Sequence, residues 1–180
     1  MKKLTLVITL FTALLAFNEI SAQKFSGIDK SVADIAYYKT DRNAAPSIKV
    51  IYSRPLMKGR SVFGNLVPFE KVWRTGANEA TEIRFYQDVM FGDKPVKAGT
   101  YTLYTIPGAN DWTIILNNDT DVWGAYSYKE ANDVARITVP VAQGNESLEA
   151  FSIAFKKEDD NKIDMVLGWD TTRVAIPFGL

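Results

Sequence analysis

The 180-residue sequence contains no cysteine and no histidine. Without cysteine there is neither a disulfide nor a thiol nucleophile, and without histidine the commonest metal ligand and the usual acid–base group near neutral pH are missing. These absences exclude a Ser-His-Asp hydrolase, and they predict a chain with no cofactor and no transition-metal site. Calcium binding through oxygen ligands stays open at two loops, 117–119 and 159–161, whose Asn and Asp residues equally suit ordinary turns.

Long apolar runs are also absent, apart from one at the N-terminus. Residues 4–17 carry no charge and follow Lys2 and Lys3, but they fall short of the roughly 20 residues that cross a bilayer. The small residues before Gln23 suit a signal-peptide cleavage site. We therefore expect residues 1–22 to be a signal peptide and residues 23–180 to form one domain, exported to the periplasm or secreted, with no stable membrane insertion once the signal is removed.

The chain has no excess of charge of either sign, with 21 basic and 21 acidic side chains. Removal of residues 1–22 takes away Lys2, Lys3 and Glu19 and leaves 19 basic and 20 acidic side chains. Nucleic acids require a basic surface, so this balance predicts no nucleic-acid partner. The sequence leaves the oligomeric state open.

Alternation with period two is the main pattern, for example Ile83 and Phe85 against Glu82, Arg84 and Tyr86. It predicts an all-β fold. The expected strands lie near 48–52, 82–86, 100–106, 112–117, 134–139, 148–156, 163–169 and 173–178. Asn, Asp, Gly and Pro residues predict reversals at 92–93, 107–111, 117–119, 143–145 and 159–161. This spacing favours a single antiparallel β-sandwich with one long structured loop and little helix, limited to a turn near 127–132 that Ser127 would cap and Glu130 would close as a capping box.

The long loop lies within residues 52–81 and concentrates charge in a neutral chain. Five cations (Arg54, Lys58, Arg60, Lys71 and Arg74) oppose two carboxylates (Glu70 and Glu79). Arginines bind planar anions in a bidentate manner, and aromatic rings offer faces on which sugars stack. We therefore predict that this loop, together with the aromatic segment 123–128, forms a ligand-binding cleft for a carbohydrate or a small anion.

Eight residues are the predicted ligand contacts: Arg54, Arg60, Trp73, Arg74, Asn78, Glu79, Trp123 and Tyr126. None is predicted to be catalytic. Two alternatives stay open for the loop, because internal pairing of Arg54, Arg74 and Glu79 around a Trp73 anchor needs the same residue types. Core filling is likewise an alternative for the rings of the 123–128 segment.

Two other classes of function compete with a non-catalytic binding module. A glycosidase-like hydrolase needs two carboxylates, but Glu79 and Glu82 would lie on opposite faces of a continuous strand, and Asp133 is a partner that nothing in the sequence brings to Glu79. A structural envelope component without a small ligand is the third class. In that case the polar residues of the loop would be fully paired with one another.

An ordered series of motifs resembles a known family. The motifs are RPLMKGRSVFGNLVPFEKVWRTGANEAT (54–81), KAGTYTLYTIPG (97–108), WTIILN (112–117) and WGAY (123–126), and they resemble bacterial exported proteins of domain of unknown function family 2911. The ending GWDTTRVAIPF is similar to the family's closing strands. The resemblance implies a β-rich secreted or periplasmic domain of uncharacterised activity, of a Bacteroidetes type. It implies no catalytic residues.

Overall fold

The computed structural model describes residues 23–159 and 161–180. It contains nine strands, which are β1 (Ala33–Tyr38), β2 (Ile48–Ser53), β3 (Thr81–Phe85), β4 (Val89–Phe91), β5 (Lys94–Val96), β6 (Gly99–Pro107), β7 (Asp111–Asn117), β8 (Asp133–Lys157) and β9 (Lys162–Gly179). All neighbouring strands are antiparallel, in the order β1-β2-β3-β6-β7-β8-β9-β4-β5. The all-β prediction is confirmed.

Burial along the strands follows the period-two pattern. In β3 the side chains of Thr81, Ile83 and Phe85 are buried, whereas Arg84 between them is exposed. Successive side chains of a strand point to opposite faces, so one face of β3 lies against the core. The turns predicted at 92–93 and 107–111 connect β4 to β5 and β6 to β7.

In the structure, the last four predicted strands are joined into two long strands, β8 and β9. The predicted reversal at 143–145 is wrong, because β8 continues through it, with register shifts against β9 between Gln143 and Leu148 and again before Ser152. Such irregularities bend a strand without ending it. The first part of β8 pairs with β7 and the second part pairs with β9, so the nine strands form one continuous sheet, which does not confirm a division into two separate sandwich sheets.

The predicted helical turn is reduced to a 3-10 turn at Glu130–Asn132. Its first flanking residue is Lys129, with no side-chain hydrogen bond at the cap. The predicted Ser127 cap and capping box are therefore wrong. Glu130 bonds instead to Arg136 of β8, at 2.8 Å.

The core lies between strands that are not neighbours in the sheet. Ring centroids of Phe85 in β3 and Phe178 in β9 are 5.6 Å apart, and those of Tyr52 in β2 and Phe151 in β8 are 5.8 Å apart. These four rings are all buried. The first strands of the sheet are thus packed against its long, bent strands.

The long predicted loop connects β2 to β3 and follows the sheet closely. Near its start, Leu56 forms a bridge with Ala150 of β8, and further on Trp73 forms a bridge with Thr105 of β6. The Trp73 N–H donates to the Thr105 carbonyl at 2.7 Å, and the Thr105 N–H donates to the Trp73 carbonyl at 3.0 Å. The loop therefore pairs with the part of β6 that β3 does not cover.

Candidate ligand-binding surface

The segment between β7 and β8 is fixed to the sheet by Asn117, which is fully buried. Its Oδ1 accepts the N–H of Asp119 at 2.9 Å, while its Nδ2 donates to the Lys129 carbonyl at 3.0 Å and to Asp133 Oδ1 at 2.7 Å. One amide thus bonds to both ends of the segment. Thr102 of β6 adds a bond to the Asp119 carbonyl at 2.6 Å.

Asp133 is the centre of a polar network at the end of this segment. Its side chain is 7% exposed and, besides Asn117, accepts the Tyr128 hydroxyl at 2.7 Å. Arg136 Nε lies 2.9 Å from Asp133 Oδ2 but at an angle that makes no hydrogen bond, so this contact is an ion pair. Arg136 also donates to the Tyr128 oxygen at 3.0 Å.

Burial, followed by the hydrogen bond to Asp133, raises the pKa of Tyr128 to about 12. Because the pKa of a free tyrosine is near 10, folding favours the neutral phenol, and this contribution to stability is complete below pH 10 and lost as the pH rises through about 12. We expect the difference in ultraviolet absorbance titration between the wild type and Tyr128→Phe to show a phenol that ionises near pH 12. Tyr126→Phe, at a tyrosine outside the Asp133 network, is the matched control and should leave this high-pH transition in place. A Tyr128 midpoint near pH 10 would contradict the network.

The WRTGAN turn (residues 73–78) has an unusual backbone. Thr75 and Asn78 have φ of 56° and 59°, in the left-handed region that a β-branched residue rarely adopts. Thr75 is fully buried, and its Oγ1 lies 3.1 Å from Thr105 Oγ1. A Cβ on Gly76 would lie 2.9 Å from the Ser53 carbonyl oxygen, so only glycine allows the turn to approach β2 this closely.

Backbone hydrogen bonds join this turn to the 123–128 segment. Gly124 N–H donates to the Asn78 carbonyl at 3.1 Å, Ala80 N–H donates to the Val122 carbonyl at 2.9 Å, and Glu79 forms a bridge with Trp123. The two stretches that the sequence analysis combined are therefore adjacent. We call Asn78, Glu79, Trp123 and Tyr126 together the Trp123 surface.

The rings of the Trp123 surface are exposed. Trp123 is 62% and Tyr126 is 86% exposed, so neither fills the core. A Cβ on Gly124 would lie 2.6 Å from the Tyr126 ring, which shows that this ring lies directly against the Gly124 backbone. Gly124 also has a positive φ of 68°, so glycine is required there for both space and conformation.

The structure places three other predicted residues elsewhere. Arg54 forms an ion pair with Asp34 at 3.0 Å and donates to the Phe151 carbonyl at 3.0 Å and to Ser152 at 2.7 Å, which links the start of the loop to β1 and β8. Arg60 donates to the carbonyls of residues 56 and 57. The guanidinium groups of both arginines are thus engaged in holding the loop.

Trp73 is 9% exposed and forms the centre of an aromatic cluster. Its ring lies 5.1 to 6.1 Å from the rings of Phe63, Trp112, Phe151 and Trp169, and its indole N–H donates to the Gly76 carbonyl at 3.1 Å. Its faces are packed against other side chains. It is the apolar anchor of the loop, one of the two roles that the sequence left open.

The remaining polar residues of the turn have fewer partners within the protein. Arg74 is half-buried and, within the described residues, its Nε has no hydrogen-bond partner. Glu79 is exposed, and Asn78 Nδ2 donates to Asp29 Oδ1 at 3.1 Å. The hydrogen bonds from Ser31 and then from Asn78 hold the pKa of Asp29 below its usual value. Internal pairing thus describes Arg54, whereas it does not describe Arg74 or Glu79.

Two cavities are present away from the Trp123 surface, and none of the eight predicted residues lines either one. The larger, of about 730 Å³, lies beside β4 and β5. The smaller, of about 200 Å³, lies between the long loop and the middle of β8 and β9. Within residues 23–159 and 161–180 no group of three acidic side chains is placed to bind a metal ion. The Trp123 surface lies apart from both cavities, with its two rings exposed.

The fold and this surface define an all-β protein with a long structured loop and an exposed aromatic contact area. The family model described as "Protein of unknown function (DUF2911)" matches residues 36–178. The chain belongs to this family, and the match extends from β1 to β9. Comparisons with curated proteins and with solved structures gave no match. None of the helical segments in the described part of the chain has the length and apolarity to cross a membrane, and the predicted signal peptide, residues 1–22, lies outside the described residues.

Proposed function

We propose that the protein is an exported, non-catalytic binding module that recognises a sugar-like ligand on the Trp123 surface. The observation that carries this proposal is the exposure of two aromatic rings, Trp123 and Tyr126, on a segment held in place by buried hydrogen bonds. An exposed ring with a polar tip is suited to stack on a sugar while bonding to its hydroxyl groups. Export enters the proposal through the signal-peptide pattern of residues 1–22.

The polar groups beside the rings favour a hydroxyl-rich ligand over an anion. Arg54 and Arg60 bond to the protein itself, so Arg74 is the only predicted arginine left for a ligand. Glu79 would accept hydroxyl protons and would repel an anion. The module thus retains both a hydrogen-bond donor and an acceptor, as sugar recognition requires.

Backbone strain is a second support for a functional role of this region. Of the six non-glycine residues with positive φ among the described residues, Thr75 and Asn78 lie in the turn and Asp121 lies two residues before the 123–128 segment, with φ between 56° and 59°. Non-glycine residues in this conformation cost about 1–3 kcal/mol each and cluster at binding sites. The buried hydrogen bond of Thr75 helps to hold the strained turn in place.

A hydrolase has less support. The carboxylate of Asp133, the candidate partner for Glu79, is already bonded to Asn117, Tyr128 and Arg136. Among the described residues, no ion pair or side-chain hydrogen bond places a second carboxylate beside Glu79. We therefore assign Glu79 to ligand orientation.

We expect Trp123→Ala and Tyr126→Ala each to weaken binding of a neutral oligosaccharide about 5–10-fold, since one stacked ring contributes roughly 1 kcal/mol. Isothermal titration calorimetry with fragments of envelope polysaccharides measures the affinity. Arg74→Ala should weaken the same binding with a change in unfolding free energy below about 1 kcal/mol.

Tyr86→Ala is the matched control, because Tyr86 is also an exposed aromatic residue (45%) but follows β3 away from the surface. It should leave the affinity unchanged. Binding that Tyr86→Ala and Trp123→Ala weaken equally, or no binding to any neutral or anionic glycan, would contradict the module. The absence of any ligand, together with a large loss of stability in Arg74→Ala, would indicate a structural component instead.

A further inference from the structure

The larger cavity shares no lining residue with the long loop. It is bounded by β4, β5, both ends of β9 and the C-terminal Leu180. Its volume of about 730 Å³ falls within the 300–1,000 Å³ that small-molecule sites occupy. None of the residues in the Trp123 surface contributes to it, so any ligand here is separate from the proposed sugar.

The walls of this cavity are apolar. Val89, Val96, Ile163 and Phe178 line it and are each at most 4% exposed. Met90 also lines it and is 40% exposed, which places an unbranched, adaptable side chain at its mouth. Because the four buried side chains are already out of water, the apolar surface that a ligand would cover belongs to Met90, the exposed Pro95 and Pro177, and the half-buried Leu180. Covering this surface contributes about 25 cal/mol for each Å² removed from water.

The charges around the cavity are unequally paired. Lys97 bonds to Asp88 at 2.7 Å, and Lys162 lies 3.8 Å from Asp159. Both lysines of the lining therefore have acidic partners. The lining has three carboxylates, from Asp88, Glu158 and Asp164, against these two lysines.

Among the described residues, Asp164 is the one side-chain carboxylate of the lining that forms no salt bridge. Its register partner on β8, Lys156, bonds to Glu158. Burial, followed by the neighbouring charge of Glu158, raises the pKa of Asp164 above its usual value. The charge of Lys156 opposes this rise only in part, so a further cation beside Asp164 would be favourable, whereas an anion would add to the repulsion.

We propose that this cavity binds a small amphiphile whose apolar body lies along β4, β5 and β9 and whose single cationic amine pairs with Asp164. The apolar walls provide the affinity, and the Asp164 carboxylate, which pairs with neither lysine of the lining, selects the end group. This site is independent of the sugar-binding proposal, because no residue is shared between the two.

The probes are three amphiphiles with the same alkyl chain, namely decylamine, decanol and decyl sulfate, used below the concentrations at which they form micelles. Displacement of Nile red from the intact mature protein reports occupancy. We expect decylamine to bind about tenfold more tightly than decanol, the factor that one favourable charge contact of roughly 1.4 kcal/mol gives, and decyl sulfate to bind most weakly. Equal binding of the three would overturn the role of Asp164.

Two variants test where the probes bind. Met90→Lys should abolish the displacement of Nile red by decylamine, because it places a cation at the mouth of the cavity. Leu66→Lys, at a residue of similar exposure (38%) on the long loop, should leave this displacement unchanged. Asp164→Asn should reduce the tenfold preference for decylamine over decanol to near unity while decanol binding persists. Equal loss in both lysine variants, or decylamine preference that survives Asp164→Asn, would overturn the proposal.

Trp123→Ala separates the two sites. It should leave decylamine binding unchanged, even if it removes sugar binding. Loss of both ligands in this variant, with its unfolding transition unchanged, would contradict the independence of the cavity. Circular dichroism and a melting curve for each variant confirm that it is folded.

Discussion

Replacing Trp73 with alanine should lower the free energy of unfolding by about 3–5 kcal/mol, the range for removal of a large aromatic side chain from a packed core. The reason is its position, because it contacts Phe63 from its own loop together with rings from β7, β8 and β9. Its loss would also leave the Gly76 carbonyl without the indole donor. Chemical denaturation monitored by circular dichroism measures the change.

Trp123→Ala is the matched control for this prediction. The same side chain is removed, but from a position that is 62% exposed, where substitutions usually change stability by less than about 0.5 kcal/mol. Comparable losses at Trp73 and Trp123 would show that the loop is not anchored as described. A loss at Trp73 alone would confirm that the loop depends on the aromatic cluster.

Asp133→Ala should destabilise the protein by about 2–4 kcal/mol. Removal of this carboxylate leaves one N–H of the fully buried Asn117 amide and the Tyr128 hydroxyl without an acceptor, and it leaves Arg136 without its buried ion-pair partner. Leaving one member of a buried pair uncompensated costs about 3–5 kcal/mol. We place the expected value lower because Arg136 is 34% exposed and water compensates part of its charge.

Glu130→Ala provides the comparison on the same arginine. Glu130 is 72% exposed and pairs with Arg136 at 2.8 Å, so its removal should cost less than about 1 kcal/mol. Equal effects of the two substitutions in denaturant titrations would contradict the central role of Asp133. Because Asp133 holds the end of the segment that carries Trp123, Asp133→Ala should also weaken sugar binding, whereas Glu130→Ala should not.

Alternation of side chains was sufficient to predict most of the sheet, since burial repeats every second residue in β2, β3 and β9. It did not reveal that β8 continues through residues 143–145. Gln143, Gly144 and Asn145 have the chemistry of a reversal, and the same residues also suit a bulge at which a strand bends. Strand β8 continues because β7 pairs with its first part and β9 pairs with its second part. The residues at 143–145 do not contain this information. Strand β1 was missed because Asp34 and the exposed Ile35 interrupt the pattern of an edge strand.

The turn 73–78 and the segment 123–128, which the sequence analysis combined, are joined by backbone hydrogen bonds. The shared residue types suggested this combination, but they did not reveal that the Trp73 ring is buried in the core. The partner of Arg54 was not predictable, because Asp34 lies on an edge strand and the other two acceptors are about a hundred residues away in β8. Asp133 was considered only as a partner for Glu79, and its spacing of three residues from Arg136 was the available signal for the network.

The attachment of the long loop to β8 determines when this protein can fold. Arg54 reaches a carbonyl 97 residues later in the chain, and Leu56 pairs with Ala150. Contacts this distant in sequence form slowly, because a large loop of chain must close before they contribute. A growing chain that ends before β8 has β7 as an uncovered edge and no partner for the start of the loop. Assembly of the sheet therefore has to wait until nearly the whole chain is available.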